Sequence, residues 1–253
     1  GAYSQLAAGT STLAYQRILD TALKPLLTEV YKRENVNLQL YLGGALLQWL
    51  DSSHAEVNLL IKNLSKANKL EMMTGSFHQA ILPIVPPAER ISQIENTTNF
   101  IAKKYKKLPK TFWCYGEIWD PSLISCLSLS KIEKVIISLD NKNTFEGLPP
   151  KPFKMQEIGR NVDIIPIDTR ISKLIHDFGL GKISFDTMFS KIKSLNDSSV
   201  QVAMINLNQL CQGEITEKQI VDLFDYFFTN SELSFDCFYK HDEPLRLDYL
   251  EKG

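Results

Sequence analysis

Short apolar segments with strand character alternate with helical segments along almost the whole chain. Six of these segments are typical of buried strands, at residues 37–42, 69–74, 111–115, 134–139, 162–167 and 200–205. Strands that alternate with helices predict a mainly parallel sheet with right-handed crossovers, in a barrel or a doubly wound sheet. The length of 253 residues suits one α/β barrel. We therefore expect a single α/β domain over residues 1–253, and a surface tail from Lys240 onwards.

Composition excludes several classes of protein. The 28 basic and 29 acidic residues give a net charge of −1, and no basic stripe predicts nucleic-acid binding. No apolar run approaches ~20 residues, so we expect no membrane span. The four cysteines lack CxxC spacing and indicate buried free thiols in a reducing, cytoplasmic setting. The four histidines form no HxxxH or HxH pair, and no phosphate-binding loop is present, so we expect neither metal nor cofactor.

The stretch from Thr111 to Ser122 is the first candidate for a functional site. Its strand residues lead into Gly116 and Glu117, and Trp119 and Asp120 follow before a helix that Pro121 can begin. Ligands of α/β folds bind at the carboxyl ends of strands, where this segment lies. Sugars are held against aromatic faces, and their hydrolysis needs carboxylates. The alternative is that both tryptophans of the segment belong to the core and that Glu117 is a solvated loop residue.

Other predicted strands also end in polar residues, which a barrel would bring to one face. These residues are Gln5, His78, Gln79, Asp140, Asp168, Asn206 and Asn208. Two of them have simpler interpretations, because Asp168 can cap the helix that follows it and Asn208 can be a turn residue without chemistry.

The order of segments resembles the catalytic domain of glycoside hydrolase family 57, the α-amylase and 4-α-glucanotransferase group. The segments that carry this resemblance are LGGALLQWL (42–50), LEMMTGSFHQAIL (70–82), IVPPAERISQI (84–94), FWCYGEIWDP (112–121), IPID (165–168) and VAMIN (202–206). The resemblance implies an incomplete seven-stranded (β/α) barrel, α-glucan substrates and retaining chemistry. The family's first strand is almost missing here, since only residues 1–3 precede Ser4-Gln5-Leu6, the segment that corresponds to the family's first conserved region.

The chain departs from the family at both catalytic positions. The place of the nucleophile, midway between Trp113 and Trp119, is Gly116, and Glu117 comes one residue later. A shift of one residue in a strand turns the side chain to the opposite face, unless a bulge at Gly116 re-aims it. Where the family carries its acid/base, the chain has Asn206-Leu-Asn-Gln209, and Asn208 cannot donate a proton as an acid would.

We therefore expect a catalytically impaired relative that binds α-glucan or a partner protein. The expected substrate-binding residues are Gln5, His78, Gln79, Trp113, Trp119, Asp120 and Asn208. The alternative is an active retaining hydrolase or glucanotransferase with Glu117 as nucleophile and an acid such as Asp120 or Glu214. A barrel deacetylase is a third class, which the missing HxxxH spacing disfavours.

Overall fold

A computed structural model describes residues 8–34, 36–138, 152–195, 202–211, 216–229 and 245–247. Its α-helices are α1 (Ala8–Ile18), α2 (Lys24–Lys32), α3 (Gly44–Ser53), α4 (Ala55–Lys66), α5 (Pro87–Tyr105), α6 (Leu123–Leu129), α7 (Thr169–Gly179), α8 (Phe185–Ser194), α9 (Leu207–Leu210) and α10 (Glu217–Thr229). Its strands are β1 (Leu38–Tyr41), β2 (Leu70–Met73), β3 (Thr111–Trp113), β4 (Lys134–Ser138), β5 (Phe153–Glu157), β6 (Arg160–Ile167) and β7 (Leu245–Leu247).

The strands follow the order β1-β2 and β3-β4-β6-β5-β7. The two parts meet at Thr74, whose N–H donates to the Thr111 carbonyl at 2.9 Å and whose carbonyl accepts from the Trp113 N–H at 2.8 Å. Every strand pair is parallel except β5–β6, so the predicted mainly parallel sheet is confirmed. Among the described strands β1 and β7 are edges that do not pair with each other, and closure of a barrel is not observed.

The first helical segment changes its winding just before Pro25. A π-helical turn, Leu19–Leu23, separates α1 from α2, and the Lys24 N–H reaches back five residues to the Leu19 carbonyl. A proline ring clashes with the carbonyl four residues before it, and a wider turn relieves that clash. A proline inside a helical pattern predicts a kink or a split, and the structure shows a split, with a π-helical turn between α1 and α2.

One face of the sheet carries two layers of side chains, because residues two apart in a strand point the same way. Met73 and Ile136 belong to an apolar layer with Ile165 and Ile167, against which Tyr41, Trp113, Val202 and Met204 pack. Two residues earlier in β1, β2, β3, β4 and β6 lies a second set, which we call the polar layer: Gln39, Glu71, Thr111, Lys134 and Asp163.

The three central residues of the polar layer are buried, whereas Gln39 and Asp163 at its two ends are half-buried. Glu71 and Lys134 are each 8% exposed, and Thr111 is fully buried. The Thr111 hydroxyl donates to Glu71 Oε1 at 3.2 Å, and Lys154 Nζ of β5 pairs with Asp163 Oδ1 at 2.7 Å. These groups lie at the amino ends of the strands, so the carboxyl ends remain for a site.

The helices pack in three apolar clusters, two of which include strand residues. Leu27, Leu50 and Ile61 belong to a core between β1, β2 and the helices α2–α5 and α10. Phe112 and Leu127 belong to a core between the main sheet and the helices α5 and α6. The third, which we call the helical cluster, joins α7, α8, α9 and α10 through Ile171, Ile175, Phe178, Met188, Ile192, Leu210 and Leu223.

Two sequence predictions fail. Pro149, Pro150 and Pro152 predict a loop that continues to Gly159, but residues 153–157 form β5, which pairs antiparallel with β6. Residues 202–205 of the predicted strand 200–205 are described but carry no strand pairing, although the Val202 carbonyl accepts from the Asp168 N–H at 2.7 Å. Within the tail, residues 245–247 form β7, which pairs parallel with β5 at the edge of the sheet, and the surface position of the tail stays a prediction. The sequence also predicts a short strand at residues 233–237, which lie outside the described residues.

Candidate functional site

The loops after β1 and β2 lie directly against each other. The Gly44 N–H donates to the Phe77 carbonyl at 2.9 Å, and the Tyr41 hydroxyl donates to the Ser76 carbonyl at 3.1 Å. A Cβ on Gly75 would lie 2.5 Å from the Tyr41 ring, so only glycine allows this approach. The carboxyl ends of the strands therefore form a compact rim.

A tight turn follows β3 and sets the direction of Glu117. The Glu117 N–H donates to the Cys114 carbonyl at 3.0 Å, and Gly116 has φ 75° and ψ −1°, as at the third position of a type II turn. Glu117 itself has a left-handed φ of 57°, which is costly for a residue with a Cβ. The turn thus replaces the straight strand in which Glu117 would point away.

A cavity of about 210 Å³ lies beyond this turn, at the carboxyl end of β6. Glu117 lines it from the β3 side, and α7 and the segment that leads into α9 form most of the remaining wall. The other residues that line it are Ile167, Thr169, Ser172, Lys173, Ile175, His176, Met204, Asn206, Gln209 and Leu210. Glu117 is the only carboxylate among these described residues, and Lys173 is the only ammonium group.

Several predicted site residues lie elsewhere. His78 and Gln79 are exposed on the loop after β2, where the His78 ring contacts the edge of Phe77 and Gln79 packs against Gly43. Asn208 is half-buried on α9, while its neighbours Asn206 and Gln209 line the cavity. Gln5, Asp140 and Glu214 lie outside the described residues.

The two tryptophans of the central stretch lie on opposite sides of the sheet. Trp113 is half-buried and packs against the apolar layer, on the face that also carries the polar layer. Trp119 is 4% exposed in the core next to α6, and its buried Nε1 has no hydrogen-bond partner in the described part of the chain. A ring this buried cannot stack on a sugar without moving, so we do not include Trp119 in the candidate site.

Asp120 and Asp168, the two predicted aspartates within the described residues, hold local structure. Asp120 Oδ1 accepts from the Ser122 N–H at 2.9 Å, and this turn leads into α6. Asp168 caps α7 by accepting from the N–H groups of Arg170 at 3.0 Å and Ile171 at 3.4 Å, so its interpretation as a cap is confirmed. The Arg170 side chain, which donates to Asp168, holds the pKa of that carboxyl below its usual range.

The polar face of α7 was missed by the sequence analysis. Thr169, Ser172, Lys173 and His176 are spaced by three or four residues, so they share one side of the helix. The helix follows a strand whose carboxyl end was already a candidate. This spacing was the available signal, and it points to the cavity wall that the structure shows.

The cysteine thiols of the described residues are buried, which disfavours the reactive thiolate form. Burial raises the pKa of Cys114 to about 12, and the negative charge of Glu117 adds to the increase. Cys114, Cys126 and Cys211 are free and buried, as predicted. Among the described residues, no three His, Cys, Asp or Glu side chains come together in a group that could hold a metal ion.

The sequence profile of glycosyl hydrolase family 57 matches residues 6–237, so the chain belongs to that family. Alpha-amylase 1 of Dictyoglomus thermophilum is 26% identical over 180 residues, which cover 69% of this chain and 26% of the amylase. The chain therefore spans about a quarter of the length of the curated relatives it matches.

Solved structures of this family share the fold. The 4-alpha-glucanotransferase of Thermococcus litoralis superposes with a TM-score of 0.73 at 19% identity, over 93% of this chain and 36% of that enzyme. A family 57 branching enzyme of Thermococcus kodakaraensis superposes with a TM-score of 0.71 at 10% identity, over 97% of this chain and 70% of that enzyme. None of the helices in the described ranges is long and apolar enough to cross a membrane.

Proposed function

We propose that the cavity beside Glu117 binds the end of an α-glucan chain, and that the protein does not hydrolyse unactivated α-glucans. The observation that carries the proposal is that Glu117 is the only carboxylate among the described residues of the cavity wall. A retaining glycosidase needs two carboxyl groups ~5–5.5 Å apart, one as nucleophile and one as proton donor. Asn206 and Gln209 contribute amides to the wall, and an amide cannot protonate a leaving oxygen.

The shape and chemistry of the cavity support sugar binding. Its volume of about 210 Å³ is below the ~300–1,000 Å³ of sites for drug-sized ligands, which suits a single sugar unit at the end of a chain. Hydroxyl, amide and imidazole groups alternate with Ile167, Ile175 and Met204, a mixture that matches the polar edges and apolar faces of a pyranose. The membership in family 57 supports α-glucan as the class of ligand.

The incomplete seven-stranded barrel is part of this proposal. It is supported by the two layers that β1, β2, β3, β4 and β6 share on one face, and by Val202 and Met204, which cover that face. The inner faces of barrel strands form such layers, with the binding site at their carboxyl ends.

A second candidate is an active retaining hydrolase or glucanotransferase with Glu117 as the nucleophile. The turn at Gly116 favours it, because that turn directs Glu117 into the cavity. An activated aryl α-glucoside is the sensitive substrate, since a good leaving group needs little help from an acid. Slow turnover of this substrate alone would fit a site that retains the nucleophile without its proton donor.

Two measurements on purified protein separate the candidates. Titration calorimetry with maltotriose tests binding, and release of nitrophenol from a nitrophenyl α-glucoside tests chemistry. Glu117→Gln should abolish any aryl glucoside turnover, and Glu95→Gln, an exposed change on α5, is the matched control. We expect no hydrolysis of maltooligosaccharides.

Two results would contradict the proposal. Hydrolysis of unactivated maltotriose that Glu117→Gln abolishes would favour the active enzyme, and hydrolysis that survives this change would place the chemistry elsewhere. No heat with maltotriose at millimolar concentration would contradict α-glucan binding and favour a partner protein as the ligand.

A further inference from the structure

Residues 202–206 supply one wall of the cavity without forming a strand. Met204 and Asn206 line the cavity, and Val202 and Met204 pack against the apolar layer of the sheet. In the described part of the chain this segment carries no strand pairing. Its position therefore depends on individual hydrogen bonds, because it lacks the ladder that holds a strand in a sheet.

Hydrogen bonds connect the segment to its neighbours at three points. At its start, the Val202 carbonyl accepts from the Asp168 N–H at 2.7 Å. At its end, the Asn206 side chain caps α9. Between these points, the Met204 N–H donates to Ser172 Oγ of α7 at 3.0 Å. Ser172 is therefore the side chain that holds the middle of the segment against α7.

The Ser172 hydroxyl is oriented for this contact by its own helix. It donates to the Asp168 carbonyl, four residues earlier in the chain, at 3.0 Å. A hydroxyl has one donor and two acceptor lone pairs, so this bond uses the proton and leaves a lone pair for the Met204 N–H. Ser172 and Met204 are both half-buried, and a main-chain N–H that is shielded from water needs an acceptor.

We propose that Ser172 is a positioning residue, whose hydroxyl keeps residues 202–206 where Met204 and Asn206 line the cavity and thereby sets its affinity for ligand. The effect on affinity rests on the proposed function, because it takes the end of an α-glucan chain as the ligand. Ser172 acts through the segment and not through a contact with the sugar. Without the hydroxyl the segment would leave the wall part of the time, and affinity falls in proportion to the fraction of protein whose wall is complete.

Three substitutions separate the hydroxyl from other properties of the side chain. Ser172→Ala removes the acceptor, whereas Ser172→Thr keeps it, since a helical threonine can also bond the carbonyl four residues earlier. Ser190→Ala is the matched control, because the exposed Ser190 hydroxyl donates to the Asp186 carbonyl at 2.8 Å on α8, outside the cavity wall. We expect Ser172→Ala to weaken maltotriose binding in calorimetry by about three- to tenfold, the value of one neutral hydrogen bond. The other two variants should remain within about twofold of the wild type.

Amide hydrogen exchange, followed residue by residue by NMR, tests the position of the segment without a ligand. The Met204 amide should exchange about tenfold faster in Ser172→Ala than in the wild type and should slow again in Ser172→Thr. The amides of β4 report global unfolding, so an increase at Met204 beyond that in β4 indicates local release of the segment. A loss of overall stability alone would raise exchange equally in both places.

The outcomes distinguish this inference from the proposed function. Unchanged exchange at Met204 in Ser172→Ala would overturn the inference, and so would faster exchange with an unchanged affinity. Exchange that recovers in Ser172→Thr while affinity does not would overturn the link between the hydroxyl and binding. No heat with maltotriose in the wild type would overturn α-glucan binding and the effect on affinity together. Exchange at Met204 that rises in Ser172→Ala and recovers in Ser172→Thr would still support the role of the hydroxyl in placing the segment.

Discussion

Gly116→Ala tests whether the turn after β3 is what directs Glu117 into the cavity. Gly116 has φ 75°, and a residue with a Cβ loses about 1–2 kcal/mol in that left-handed conformation. The added Cβ would lie 3.7 Å from Ile81 Cγ1, an ordinary contact, so the cost comes from the backbone alone. Gly159→Ala is the matched control, because Gly159 has φ 73° and nothing within 4 Å of the added Cβ.

The two variants should lose similar stability and differ in binding. We expect the free energy of unfolding in urea to fall by about 1–2 kcal/mol in each, which lowers Tm by about 2–4 °C per kcal/mol in a chain of this length. Only Gly116→Ala can relieve its strain by moving Glu117. A displacement of about 1 Å can cost ~10²-fold in rate, so turnover of an aryl α-glucoside, where it occurs, should fall in this variant alone.

Maltotriose affinity, measured by calorimetry, should fall in Gly116→Ala and stay unchanged in Gly159→Ala. Gly116→Asn should recover part of the loss, because asparagine tolerates the left-handed region better than alanine. Equal loss of affinity in Gly116→Ala and Gly159→Ala would refute the reasoning, since Gly159 lies at the far tip of the β5–β6 hairpin. Unchanged stability and affinity in Gly116→Ala would refute it as well.

Two further predictions concern the elements that hold the site. Thr111→Val should lower the free energy of unfolding in urea by about 1.5–3 kcal/mol, because buried Glu71 loses a hydroxyl donor. Thr97→Val is the control and should change this free energy little, because it removes only a hydrogen bond within α5. Asp168→Ala should cost about 1 kcal/mol through the lost cap of α7, and Asp168→Asn less, because the amide oxygen can still accept. The pKa of Asp168 in the folded state lies below its ordinary value of 3.8, so its contribution to stability is present above pH 3.8 and is lost as the pH falls through the folded pKa. The free energy of unfolding of the wild type and of Asp168→Asn, measured across this acid range, should therefore depend on pH differently only there.

The alternation of strands and helices could be predicted from sequence because each buried segment must place its apolar residues at the spacing of a strand or of a helix. The spacing of Ile91, Ile94, Thr98 and Ile101 predicts a helix over residues 87–105, and α5 has these bounds. The bounds of β1, β2, β3, β4 and β6 fall within two residues of the predicted segments. Strand β5 was missed although Phe153 and Met155 alternate with polar residues, because the prolines before it favoured a loop. Its turn also places Ile158 at φ 47°, which β-branched residues rarely adopt, so Gly159 was the one residue of this turn that could signal it.

Residues 202–205 show the opposite failure. Their apolar composition predicted a strand, but β propensity reports how well side chains fit a half-buried surface. Val202 and Met204 do cover the apolar layer, and the backbone around them bonds to Asp168 and to Ser172 Oγ instead of a neighbouring strand. The pattern thus predicted a buried strand, whereas the structure shows half-buried side chains at Val202 and Met204 and no strand pairing.

The candidate site was only partly accessible to sequence reasoning. Spacing identified Glu117 and the strand-end position of Asn206, but the direction of Glu117 depends on the dihedral angles at Gly116, which spacing alone does not determine. His176 was overlooked because no second histidine stands at a metal-binding interval. Its relation to Glu117 arises only when α7 packs beside the end of β3, a contact between distant parts of the chain.

The helical cluster supplies one wall of the cavity through α7 and α9, and its buried members include no strand residue. It is joined to the core of β1 and β2, because Leu207 packs against both clusters and α10 supplies Ile220 and Phe224 to that core. Units with their own core often exchange amide hydrogens through partial opening at a free energy below that of global unfolding. We expect α7 and α9 to exchange sooner than β4 and β6, and a bound sugar to slow that exchange. The rate at which a glucan end enters the cavity would then depend on how often α7 and α9 open.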